Sequence, residues 1–153
     1  MRGLRAQQLD QRFSTAEGVL MRLGDVDVAR QRGSAQTIVL TVSHPGWGAP
    51  VSANLRFVET WIRNDDHWDL TRYAYDLLLV PGPGRFGFHW HDGVHHTHCV
   101  DHRHPERDHH FRAEPIDLFS AAERFGAILN GTEPLTCVGL RRVRWPVPVS
   151  GPG

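Results

Sequence analysis

Between residues 36 and 91 the chain repeats one pattern: a run of alternating β-forming residues, then a cluster that stops it. Gln36 to Val42 carries Thr37, Ile38, Val39, Thr41 and Val42, and Pro45-Gly46-Trp47-Gly48 breaks it. Leu55 to Ile62 is a second run and ends at Asn64-Asp65-Asp66. Trp68 to Val80 is a third, stopped by Pro81-Gly82-Pro83-Gly84, and Phe86, Phe88 and Trp90 alternate through a fourth. β-Branched and aromatic residues at period two, punctuated by Gly, Pro, Asn and Asp, specify strands joined by short turns. Strands with short links pair antiparallel, so the pattern predicts a meander. In the third run Asp69, Thr71, Tyr73, Tyr75 and Leu77 share one face while Leu70, Arg72, Ala74, Asp76 and Leu78 share the other. The aromatic face is the one expected to be buried.

The flanks carry helical signals. Ser14-Thr15-Ala16-Glu17 has the spacing of a capping box, with Val19, Leu20 and Leu23 behind it. The reading for the first thirty residues is a helical or irregular start and then a strand at 25–31. Pro115 to about Asn130 reads as a helix, with Pro at its start and Asn130-Gly131 at its stop. Leu118, Ala122, Phe125 and Leu129 make one apolar stripe along it. The expected fold class is α+β: an antiparallel β-meander of about four strands, a His-rich loop and a packed C-terminal helix. Residues 1–135 would form a single domain. Residues 136–153, which include Arg141 to Trp145, would be a partly disordered extension.

Bulk composition excludes little. Seventeen cations, all of them Arg, balance seventeen acids, so net charge does not announce a nucleic-acid binder. No stretch is apolar for long enough to span a bilayer, and Met1 to Asp10 lacks the apolar run of a signal peptide. The expectation is a cytoplasmic protein with no membrane partner; a homo-oligomer is compatible with it. Cys99 and Cys137 form no recognisable disulfide framework, and Cys99 is expected to be a small buried residue.

Function points to the histidines. Nine of the eleven lie between His89 and His110. Imidazole binds metal, moves protons near neutral pH and gains charge with small environmental changes, and each use gives a reading. The first is acid–base cleavage of RNA through its 2′-hydroxyl, needing no cofactor. One imidazole serves as base and another as acid, and an arginine (Arg85, Arg103 or Arg107) holds the phosphate. The second is a transition-metal site for Zn, Ni or Cu. His89-x-His91 and His96-x-His98 would supply its ligands, in a metal-binding or metal-dependent hydrolytic protein. The third is a non-enzymatic, pH-sensitive interaction module.

One resemblance favours the first reading. Trp90, Asp92, His95 and His96 are similar to the first motif of the TumE-like toxins of prokaryotic toxin–antitoxin modules. Asp101-His102-Arg103-His104 is similar to that family's second motif, and the 115–130 helix to its closing helix. The match covers roughly residues 50 to 130. The chain departs from it in placing His91 before Asp92, Gly93 where Asn is expected, and His98, His109 and His110 as extra histidines. The resemblance implies a toxin acting on RNA and neutralised by a helix-turn-helix antitoxin. With the histidine density, it leads to the following assignment. His96, His98, His102 and His104 are the catalytic candidates, Asp92 and Asp101 orient them, and Arg103 and Arg85 contact the substrate.

Overall fold

A computed structural model of the chain describes residues 3–48, 51–80, 84–100 and 108–130. Seven strands pair in chain order into one antiparallel sheet. They are β1 (Asp25–Gln31), β2 (Ala35–Gly48), β3 (Val51–Asn64), β4 (His67–Val80), β5 (Arg85–His91), β6 (Val94–Val100) and β7 (Asp108–Arg112). Helices α1 (Ala6–Leu20) and α2 (Leu118–Leu129) precede and follow the sheet. The meander is therefore present, but its count of about four strands is wrong. The fourth run is β5, as expected, but the histidine segment beyond it is not a loop as far as Val100: Val94–Val100 forms β6.

Three local causes explain the differences. Asp92-Gly93 is an aspartate–glycine pair at a hairpin tip, and both residues have positive φ, 53° and 75°. That is the conformation of the two-residue turn that suits twisted antiparallel strands, so β5 turns straight into β6. Pro45-Gly46-Trp47-Gly48 does not end its strand; β2 continues to Gly48 with a register shift between His44 and Gly48. A bulge of this kind absorbs a residue that cannot join the ladder. Helix α1 begins at Ala6 rather than at the Ser14 capping signal, and Gln8 Oε1 accepts from the Arg5 backbone N–H at 2.9 Å. The strand expected at 25–31 is β1. The expected C-terminal helix starts three residues after Pro115, where Asp117 caps it by accepting from Ser120 N at 2.8 Å. The proposed extension over 136–153 lies outside the described residues.

The two faces of the sheet differ. Leu9, Phe13, Ala16 and Leu20 of α1 and Leu118, Ala122, Phe125 and Leu129 of α2 are buried in one core with Ile38, Leu40, Leu55, Phe57, Tyr75, Leu77, Phe86 and Phe88. Each of those strand residues sits at alternate positions, so the helices cover one face. Phe125 packs against Phe57, Phe86 and Phe88 with ring centroids 5.7 to 6.2 Å apart. The histidines of β5 lie on the opposite face, here called the far face.

Candidate active site

Cross-strand register assembles the far face row by row. One row runs Thr41, Arg56, Asp76, Gly87, His98, His110 from β2 to β7. The next runs Val39, Val58, Ala74, His89, His96, Arg112. His89 and His91 share this face because they are two apart on β5, and His96 and His98 for the same reason on β6. Five imidazoles thus meet. His96 is the hub, with ring centroids 5.1 Å from His89, 5.0 Å from His91 and 5.7 Å from His110. His98 and His110 lie parallel at 4.2 Å.

Asp76 anchors the group. Its carboxylate is nearly buried, and its Oδ1 accepts from His89 Nε2 at 2.8 Å and from Arg85 Nη2 at 3.2 Å. Gly87 stands opposite it on β5, and a Cβ there would collide with Asp76 Oδ1. The missing side chain is what lets the carboxylate lie across β5 to His89. With Nε2 committed to Asp76, the tautomer of His89 is fixed and its Nδ1 is left for other work.

Crowding sets the charge of the hub. Burial first, then the neighbouring His89, His91, His110 and His98, lower His96 to about 4. Bringing a proton to His96 would place a cation among rings that can themselves be cationic, so it stays neutral at pH 7.

His95, next to His96 in sequence, points the other way. It stacks on Trp90 at 5.0 Å, and its Nδ1 lies 2.7 Å from the Tyr73 hydroxyl. That hydroxyl also accepts from the Ile116 backbone N–H at 3.3 Å. Burial pushes Tyr73 up to about 12 and lowers His95, which keeps both in the forms this bond needs. His95 therefore ties the approach to α2 onto the sheet.

Of the residues expected from sequence, His96, His98 and Arg85 are on the far face, as are His89 and His91. Asp92 is at the exposed hairpin tip, where its side chain is 96% accessible and touches His91 Nδ1 at 3.3 Å. Ion pairs so exposed contribute little. Asp101, His102, Arg103, His104 and Arg107 lie outside the described residues. Sequence reasoning missed Asp76, Gly87 and His110 as members of the site. The period-two pattern did place Asp76 opposite the aromatics of β4, but only the β4–β5 register sets it beside His89. The four candidate metal ligands, His89, His91, His96 and His98, do share one surface. Among the described residues, however, no three His, Cys, Asp or Glu side chains are arranged to hold a metal ion. Cys99 faces the helices and is 2% exposed, the small buried residue expected; it is also disulfide-bonded, where the spacing of the cysteines gave no recognisable framework.

Comparison with protein-family models, curated proteins and solved structures finds no match. No helix of the described residues is long and apolar enough to cross a membrane.

Proposed function

We propose that this protein cleaves RNA phosphodiesters by metal-independent acid–base catalysis on the far face of β5 and β6, as the toxin of a toxin–antitoxin module. The Asp76–His89–His96 line carries the proposal. A buried carboxylate fixes one imidazole, and a second imidazole held neutral stands 5.1 Å from it, ring to ring. Cleavage through the 2′-hydroxyl needs one unprotonated and one protonated group at a single phosphate.

In this reading neutral His96 accepts the proton of the 2′-OH. The 2′-oxygen bonds to phosphorus as the P–O5′ bond breaks. His89, its Nε2 on Asp76, delivers a proton from Nδ1 to the leaving O5′. The Asp76 carboxylate supplies the counter-charge for the imidazolium. The products are a 2′,3′-cyclic phosphate and a 5′-hydroxyl, and a later proton exchange with water resets both rings. Arg85, whose side chain is 36% accessible, is the cation beside the pair and binds the phosphate.

The toxin role, and a helix-turn-helix antitoxin that neutralises it, are supported by the motifs shared with TumE-like toxins. Induced expression should arrest growth, and the same induction of His96→Ala should not. Equal growth of the two strains would remove the toxin role.

A further inference from the structure

The far face carries more cations than the reaction uses. Arg56 on β3, Arg72 on β4 and Arg112 on β7 are all exposed, and alternation puts each on the face of the imidazoles. Arg56 stands opposite Asp76, and Arg112 opposite His96. Arg72 stands opposite Thr60, two positions before Ala74, at the end of the sheet that carries the β5–β6 hairpin. Besides buried Asp76, acids of this face are Asp25 and Asp27 of β1, opposite Ser43 and Thr41, and Asp69 of β4, opposite Ile62 and beyond the bulge at Thr60/Trp61 that changes the alternation. Asp108 stands at the matching register position of β7, opposite Val100. Three exposed arginines on β3, β4 and β7 thus surround the imidazoles, while Asp25 and Asp27 lie at the β1 edge and Asp69 at the β4 end near the β3–β4 turn. From β3 to β7 is four strand spacings, about 19 Å at ~4.8 Å each.

We infer that β3 to β7 form a track for single-stranded RNA, whose backbone phosphates engage Arg56, Arg72 and Arg112 on either side of a scissile phosphate at Arg85, His89 and His96. The inference rests on the reading of this face as a ribonuclease site and adds the form of the substrate. Two observations favour a single strand over a duplex. In-line attack needs a 2′-oxygen free to swing behind its phosphorus, which a regular stacked helix prevents. The parallel His98–His110 pair ends in the exposed His110 ring, a flat surface on which one unpaired base can stack. Phe86 and Phe88, by contrast, are buried against the helices and offer no platform.

The test is fluorescence anisotropy with a short 2′-O-methyl oligonucleotide, which lacks the attacking hydroxyl and cannot be cleaved. Its annealed duplex is the comparison, and cleavage of the matching ribo-oligonucleotide is followed separately. The parent should bind the single strand more tightly than the duplex. Arg56→Ala, Arg72→Ala and Arg112→Ala should each weaken binding about threefold to tenfold and lower the salt slope by about 0.7. Arg22→Ala, an exposed arginine just after α1, should bind as the parent does. Duplex binding as tight as single-strand binding, or three arginine variants that bind like Arg22→Ala, would overturn the track even if cleavage persists. Arginine-dependent binding without any cleavage would uphold the track and remove the nuclease.

Discussion

At the residue scale the chemistry turns on crowding around His96. Five rings on one surface repel one another when charged, and His96, which meets three of the others, is held neutral. An NMR titration of the His96 ring should therefore show a midpoint near 4. Replacing His91 and His110 together by Asn removes two of the repelling neighbours, and the midpoint should rise. It should stay below the ordinary value of about 6.5, because burial remains. A midpoint unmoved by the double change would mean that the rings do not interact. The sign for stability follows. The folded state binds this proton less readily than the unfolded chain, so the contribution of His96 is full above pH ~6.5 and is lost as pH falls towards 4. Gly87 makes a second residue-scale prediction. Gly87→Ala puts a methyl group where Asp76 Oδ1 lies, so it should depress kcat as Asp76→Asn does, by roughly 10²–10⁴-fold. Full activity in Gly87→Ala would separate the carboxylate from the reaction.

At the element scale, two hairpin strands and one helix approach hold the site. The β5–β6 hairpin aligns His89 with His96, and its Asp92-Gly93 tip sets that register. On the covered face Tyr73 bridges β4, β6 and the approach to α2 by bonding His95 Nδ1 while accepting from the Ile116 N–H. Tyr73→Phe leaves the Ile116 N–H and the His95 ring without that partner. Denaturant unfolding should report a loss of about 1–3 kcal/mol; no loss would show that the bridge is not structural.

Much of this level was legible. The alternation of residues 36–91 announced strands, and the Leu118, Ala122, Phe125, Leu129 stripe announced α2 and its buried face. The strand carrying His89 and His91 was legible from its alternating aromatics, but β6 was obscured because imidazole is neither a β-former nor a core residue, so composition suggested a loop. Asp92-Gly93, bracketed by alternating residues, is the signal that marks a hairpin there. The five-ring cluster and Asp76 were hidden for another reason. They are neighbours only through register between strands, and a period-two pattern gives a face without giving a partner.

At the scale of the whole molecule the sheet divides its labour between faces. The helix face holds the fold together, and its polar centre is Glu59, 1% exposed. Glu59 accepts from Arg12 Nη2 at 2.8 Å, from Trp61 Nε1 at 3.1 Å and from the Tyr75 hydroxyl. Burial and then the Glu59 charge hold the Tyr75 phenol well above its ordinary range, so it remains a donor. Arg12 also lies over the rings of Trp61 and Phe119, at 5.6 and 5.3 Å, joining α1, β3 and α2. Arg12→Ala strands a buried carboxylate and should cost about 3–5 kcal/mol in thermal or denaturant unfolding. A loss below about 1 kcal/mol, the scale of exposed pairs, would contradict its role as the tie between the layers.

The far face is then free to specialise in acid–base chemistry. The direct measurement is cleavage of labelled RNA by the purified chain in excess EDTA, beside His96→Ala and Asp76→Asn. The parent should give a 2′,3′-cyclic phosphate product, and each variant a rate about 10²–10⁴-fold lower. No cleavage by the parent in EDTA with cleavage restored by Zn, Ni or Cu, or variants as fast as the parent, would contradict that chemistry.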